Sequence, residues 1–329
     1  MRPATNNSQS TVPMRPTSVA VCVATYQRPQ QLQLLLADLA GQTFGSVVPS
    51  SVVVVVADND PDETARQTVA DSQDGYPHEL IYVPAPERGV VPARNASVQM
   101  AATVGADWIA FIDDDERPTT NWLGLLLDTA QHTGASAVAG PVPERFGFEP
   151  PAWYTDAQLH VAESFPTGST VKRFGVGNLL VSTNALRDAA GIDGPAEALH
   201  PFDIRFNATG GEDVFLGLQL ADTGHRMVWC DEAVATTEVP VERTDFRWVM
   251  RRQFNAYRNY SRALRLSTGA QPWPELARSS GRLLQASAQI IRGALTADQG
   301  AMAAGAYLGA GALGKFAGTT DRQDSGWWD

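Results

Sequence analysis

Apolar positions in this chain fall into short β-branched runs that alternate with helical periodicity. Residues 18–24 alternate apolar and small side chains; a Thr25-Tyr26-Gln27-Arg28-Pro29 turn follows, then an apolar-periodic helix over about residues 30–40. Residues 52–57 contain five consecutive valines, ended by Asp58-Asn59-Asp60-Pro61 and followed by a polar helix over about 62–70. A third strand at 79–83 precedes a helix over 90–104, and residues 108–112 form a fourth strand, apolar enough to be buried on both faces. Strands and helices alternating at this spacing predict an α/β fold with a mostly parallel, doubly wound sheet and right-handed crossovers.

The pattern then changes. A further strand is expected over 135–140, followed by a Pro- and aromatic-rich stretch through Pro143, Phe146, Phe148, Pro151 and Trp153, of the kind that is usually functional inside a compact domain. Residues 173–182 read as a strand containing Gly175 and Gly177. Gly210-Gly211-Glu212-Asp213 opens a helix to about residue 220, short strands follow at 225–229 and 233–238, and helices over 245–266 and 274–295 close the pattern. The expected organisation is a disordered tail at 1–17, a nucleotide-binding catalytic domain at 18–242, basic helices at 243–297, and a Gly/Ala-rich tail segment at 298–329.

Charge sharpens this division. Of 329 residues with a net charge of −11, the stretch 246–297 holds nine arginines against one acid, Glu275, a local +8 that leaves −19 for the rest. An acidic body disfavours nucleic acid, while the basic end suits an anionic partner such as a membrane surface. Cys22 and Cys230 sit in apolar strand contexts and read as buried thiols, which favours a reducing compartment. No stretch reaches the ~18 apolar residues of a spanning helix, and the polar N-terminus does not read as a signal peptide. A cytoplasmic location, peripheral at most to the membrane, is the resulting expectation.

Candidate chemistry gathers at strand ends. Asp113, Asp114, Asp115 and Glu116 follow the fourth strand, where open α/β sheets bind ligands; their repulsion favours a hard cation, Mg²⁺ or Mn²⁺, able to clamp a pyrophosphate. The alternative is helix capping, with Thr119 or Thr120 as N-cap. Asp58 can accept from a base or ribose, or can serve turn chemistry alone. Thr25, Arg28, Arg88, Arg94 and Asn95 lie where phosphate is bound, or are merely solvated. Glu212 and Asp213 offer a general base, or an acidic helix N-terminus. Glu238 is a metal ligand or an edge charge. Arg247, Arg251, Arg258, Arg262 and Arg265 fall on one helix face opposite Phe246, Phe254 and Tyr257, fit either for anionic lipid or for an ordinary packed helix. Trp153 and Trp248 join these arginines as candidate acceptor or membrane contacts.

The stretches Val21-Cys22-Val23-Ala24-Thr25-Tyr26-Gln27-Arg28-Pro29, Asp58-Asn59-Asp60, Gly89 through Arg94-Asn95, Phe111-Ile112-Asp113-Asp114-Asp115-Glu116, Gly140-Pro141-Val142, Gly177-Asn178 and Gly210-Gly211-Glu212-Asp213 together resemble a family 2 glycosyltransferase of the GT-A fold, most of all the succinoglycan-type bacterial glucosyltransferases. The resemblance implies an inverting transferase using a nucleotide-diphosphate sugar and a divalent cation. By it, Asp58 reads the base, Arg94 lies beside the nucleotide, Asn178 belongs to the donor site, Asp113 and Asp115 fill the DXD positions, Asp213 is the base, and Glu238 stands where relatives carry a metal ligand. Processive relatives have Gln-x-x-Arg-Trp where Thr244 precedes Asp245-Phe246-Arg247-Trp248 here, so a single transfer to a saccharide, expected to be lipid-linked, is implied. The rivals are a sugar-nucleotidyltransferase, disfavoured because no glycine lies between Thr25 and Pro29, and a catalytically dead sugar-nucleotide-binding protein, disfavoured by the intact Asp213.

Overall fold

The computed structural model describes residues 17–172, 174–269 and 273–320; the tail expected at 1–17 lies outside them except for Thr17. Its first half is the expected alternation: β1 (Ser18–Thr25), α1 (Pro29–Ala40), β2 (Ser51–Asp58), α2 (Arg66–Ser72), β3 (Glu79–Pro84), α3 (Val90–Thr103) and β4 (Trp108–Ile112). There follow β5 (Glu116–Pro118), α4 (Trp122–Thr133), β6 (Ala137–Ala139), β7 (Glu144–Arg145), α5 (Ala152–Asp156), β8 (Asn178–Ser182), α6 (Thr183–Ala190), α7 (Glu212–Asp222), β9 (Met227–Trp229) and β10 (Ala235–Glu238). Three long helices come last: α8 (Phe246–Thr268), α9 (Trp273–Thr296) and α10 (Gln299–Thr320).

Seven strands form one sheet in the order β3-β2-β1-β4-β8-β6-β9, and only β8 runs antiparallel to its neighbours. The strand order reverses at β1, which lies between β2 and β4, so the carboxyl ends of β1 and β4 border the crevice that such sheets use for ligands. Register carries the chemistry with it: Thr25 pairs with Asp58, and Ile112 with Asn178, along one edge. Period-2 alternation sends Val19, Val21 and Val23 into a core shared with α1 and α4, and Ala20 and Cys22 into a second core shared with α3 and α7. A small sheet, β5-β10-β7, hangs from the acidic turn after β4.

Three departures from the sequence reading are local. The helix expected from 62 begins only at Arg66, because Asp58 and Asp60 accept the backbone N–H groups of Asp60, Asp62 and Ala65 and hold the chain in turns. Helix α4 begins after Asn121 without a side-chain cap, and the Thr119 hydroxyl bonds instead to the Val234 carbonyl; capping therefore does not account for the aspartates. The strand expected from 173 begins at Asn178.

The largest departure is the Gly/Ala-rich segment after 298, read as a tail, which is helix α10 packed between α8 and α9. Its glycines permit that packing: a Cβ at Gly314 would lie 2.0 Å from the Phe254 carbonyl oxygen, and one at Gly318 2.2 Å from that of Arg258. Lys315 completes the trio by pairing with Glu275 of α9 at 2.7 Å beneath Tyr257 and Tyr260.

Candidate active site

The acidic turn after β4 is wired to arginines. Thr25 donates to Asp114 (2.8 Å), and Arg28 donates to both Asp114 and Asp115 (2.8 Å each). Asp114, 6% exposed, is thus an internal anchor of the turn; burial raises its pKa against the pull of Arg28. Asp113 and Asp115 remain accessible, with 41% and 23% of their side chains exposed, held by Arg94 at 3.0 Å and by Arg28 respectively, and Arg243 stands 3.8 Å from Asp115. Glu116 is buried beneath them, its pKa well above the usual range because of burial and then the neighbouring Asp113. Gly177 faces this group: a Cβ there would come 2.3 Å from Glu116 and 3.1 Å from Asp113.

A second acidic centre faces the first across one guanidinium. Arg94, 11% exposed, donates to Asp113 through one nitrogen and to Glu212 through another. Burial opposes the Arg94 charge, but Asp113 and Glu212 outweigh it and raise its pKa. The other Glu212 oxygen is buried and lacks a hydrogen-bond partner among the described residues. Beside it, burial and the Glu212 charge push Asp213 up to about 6, with Arg94 pulling the other way. Both carboxylates start α7, and the turn delivering them needs positive φ at Gly210 (74°) and Gly211 (97°). Helix α8 fixes that turn: Asn259 donates to the Thr209 carbonyl, and Arg262 donates to the Thr209 hydroxyl at 2.7 Å while lying over Phe206.

Other sequence candidates have more structural placements. Asp58, buried, accepts from Tyr82 (3.0 Å) and from the backbone of Asp60 and Ala65. Asn95 forms a two-way clamp on the Phe202 backbone, and Asn178 spends its amide on Trp122, Pro141 and Ala233. Arg88 is exposed at the sheet edge, on the loop before α3. Glu238 is exposed at the end of β10, close enough to act on Arg117. Among the described residues, no three His, Cys, Asp or Glu side chains form a ready-made metal cluster, so Asp113, Asp115 and Glu238 do not converge as a preformed site.

Of the helix α8 candidates, Arg247 and Arg251 are exposed. The expected single arginine face is not formed: Arg258 backs onto α10, Arg262 holds the Thr209 turn, and Arg265 donates to the Thr319 carbonyl at 3.1 Å, since the face opposite the apolar stripe is itself covered. Trp248 lies between Arg243 (5.9 Å) and Arg252 (5.4 Å), and Trp153 packs edge-on against Phe246 at 5.2 Å. The start of α8 therefore reaches the acidic turn through Arg243.

The sequence model of glycosyl transferase family 2 matches residues 20–189, from β1 into α6, the part of the chain that builds the sheet edge and the acidic turn. The chain belongs to glycosyl transferase family 2. This family 2 member is 31% identical to the succinoglycan biosynthesis protein ExoM of Rhizobium meliloti over 261 residues, 77% of each chain. It is 26% identical to the validoxylamine A glucosyltransferase of Streptomyces hygroscopicus subsp. limoneus, over 69% of this chain and 52% of that one. Its fold is similar to that of S. aureus TarS residues 1–349, with a TM-score of 0.51 over 88% of this chain and 91% of that one at 15% identity. The same TarS fragment in complex with UDP gives 0.50 at 14% identity, again over 88% and 91%. The glycosyltransferase is thus an enzyme of the GT-A fold that acts on a nucleotide-sugar. Among its described residues, no helix is long and apolar enough to cross a membrane.

Sequence reasoning missed the asparagines that brace the glycosyltransferase's site. Asn59 donates to the Ala85 and Glu87 carbonyls and accepts from Gly89, while Asn207 donates to the Arg88 carbonyl. Asn59 sat in a motif read as turn chemistry. Asn207 and Asn259 carry no local signal, since their partners lie 50 or more residues away.

Proposed function

We propose that this enzyme makes a single, inverting transfer from a nucleotide-diphosphate sugar to a hydroxyl of a saccharide acceptor, with Asp213 as general base. The observation that carries the reading is the pairing of two acidic centres across Arg94, one accessible and arginine-bound, the other formed by buried Glu212 and the half-buried Asp213, whose pKa is pushed up to about 6. A carboxylate poised near neutrality can take a hydroxyl proton as the oxygen attacks. Attack on the anomeric carbon opposite the leaving diphosphate inverts its configuration. Arg28 and Arg94 would face the pyrophosphate charge, and Asp58 and Tyr82 would shape the base end.

The donor set fits a divalent cation: Asp113 and Asp115 present hard carboxylate oxygens, and the missing Cβ of Gly177 leaves room beside Asp113. Bound there, Mg²⁺ or Mn²⁺ would supply electrostatic stabilisation of the leaving diphosphate. Arg28 and Arg94 hold those aspartates in place for it.

A cleft of about 280 Å³, lined by Val90, Asn207, Thr209, Glu212, Arg252 and Asn259, gives the acceptor access to α7. Similarity to a succinoglycan biosynthesis protein supports polysaccharide assembly, and a lipid-linked saccharide is the acceptor class of this proposal. The test is NMR of the products formed with UDP-, GDP- and dTDP-sugars and oligosaccharide acceptors, with and without Mn²⁺. An inverted anomeric linkage supports the reading; retained configuration, or, with pyrophosphate added, release of sugar 1-phosphate and nucleoside triphosphate in place of a glycoside, overturns it.

A further inference from the structure

Helix α9 has an apolar ridge on the wrong side for a core. Its packed face, through Glu275, Ser279, Ala286 and Gly293, is turned to α10, where a Cβ on Gly293 would strike Met302. At 100° per residue, Trp273, Ala277, Leu284, Ala288, Ile291 and Leu295 lie within an arc of about 60° on the opposite face. All six are exposed, including Trp273 at 73%, Leu284 at 75%, Ile291 at 60% and Leu295 at 83%. The ridge runs for about 33 Å. Isolated exposed leucines need no explanation, but a continuous ridge of this length does.

Charge names the partner. The exposed Arg292, Arg278 and Arg282 all lie to one side of the ridge, at about 100°, 140° and 180° from Trp273 on the same wheel, and the one acid of the helix, Glu275, is buried between Lys315 and Arg278. An apolar ridge bordered on one side by cations, with no exposed acid on the helix, is the pattern of a helix lying in a bilayer interface. A second copy of α9 packed ridge to ridge would add no exposed acid to meet these arginines.

We infer that α9 is a docking surface for an anionic bilayer. Its ridge enters the acyl boundary, its arginines meet lipid phosphates, and α10, locked to α8 by glycine packing, holds it against the catalytic body. This surface replaces the α8 arginine face as the membrane contact and does not depend on the transfer chemistry.

The experiment is co-sedimentation of the full chain with phosphatidylcholine vesicles containing 0 or about 30% phosphatidylglycerol, at low and high salt. Binding to the anionic vesicles, weakened at least tenfold by combined Leu284→Ser, Ile291→Ser and Leu295→Ser and by combined Arg278→Gln, Arg282→Gln and Arg292→Gln, supports the inference. Circular dichroism melts and transfer to a water-soluble acceptor should be unchanged because the substituted side chains are exposed and Glu275, which Arg278 touches, keeps Lys315 as its partner. Failure of the parent to bind, or equal binding by the ridge variant, overturns it. So does sedimentation velocity showing a dimer that the ridge variant disperses while no vesicle binding occurs.

Discussion

The two acidic centres on either side of Arg94 contain the same functional groups and are built for opposite tasks. At the end of β4, Asp113 and Asp115 stay accessible and are held by Arg94 and Arg28, an arrangement that presents carboxylate oxygens to a cation and guanidinium groups to a phosphate. At the start of α7, Asp213 lies beside a buried carboxylate, with Arg94 spent on Glu212, and retains a proton up to about pH 6. Environment separates an accessible, ion-paired carboxylate from a proton-holding one. Arg94 pairs with both centres and couples them.

Substitutions should separate the two centres by size and kind of effect. The largest is Asp213→Asn, which keeps shape and removes the proton acceptor: turnover should fall by about 10²-fold or more while donor affinity by calorimetry stays unchanged. A joint fall in both would merge the two centres into one. Next, Arg94→Lys cannot bridge Asp113 and Glu212 with a single ammonium, so both donor affinity and turnover should drop about tenfold. Loss of one alone would show that Arg94 serves only one centre.

Asp115→Ala should weaken donor binding about tenfold in Mn²⁺ and remove the difference between Mn²⁺ and chelator, with turnover at saturating donor less affected. Equal donor affinity of the parent in Mn²⁺ and chelator would break the cation reading. The smallest effect is Arg262→Ala, which frees the Thr209 hydroxyl and loosens the turn bearing Glu212 and Asp213: turnover should fall about fivefold with donor affinity intact. A change in donor affinity instead would place the Thr209 turn on the other side of the comparison.

The β1 to β4 alternation was legible because period and composition agree within each short segment, and the acidic turn was legible because four carboxylates after an apolar strand are locally unusual. Asp58 was visible, yet its engagement by Tyr82 depends on a neighbour that only pairing of β2 with β3 supplies, while the Ala65 amide reaches it through the local turn. Asn178 was noticed for its motif, whereas its three partners come from α4, the stretch after β6 and the turn before β10. Helix α10 was missed for a different reason: glycine is a poor helix former alone, and its advantage at Gly314 and Gly318 exists only against the α8 backbone. The α8 arginines share a face on a helical wheel, but tertiary contacts at Thr209 and Thr319 divide them.

The most direct measurement of the central claim is the pH dependence of kcat/KM for the acceptor. The base acts when deprotonated, so a pKa raised to about 6 makes activity fall as pH drops through that value. The account predicts an acid limb with its midpoint near pH 6 in the parent, and a low, flat profile across the same range in Asp213→Asn. A parent profile flat from pH 5 to 7, or an acid limb that survives unchanged in Asp213→Asn, would contradict the division of labour between the two acidic centres.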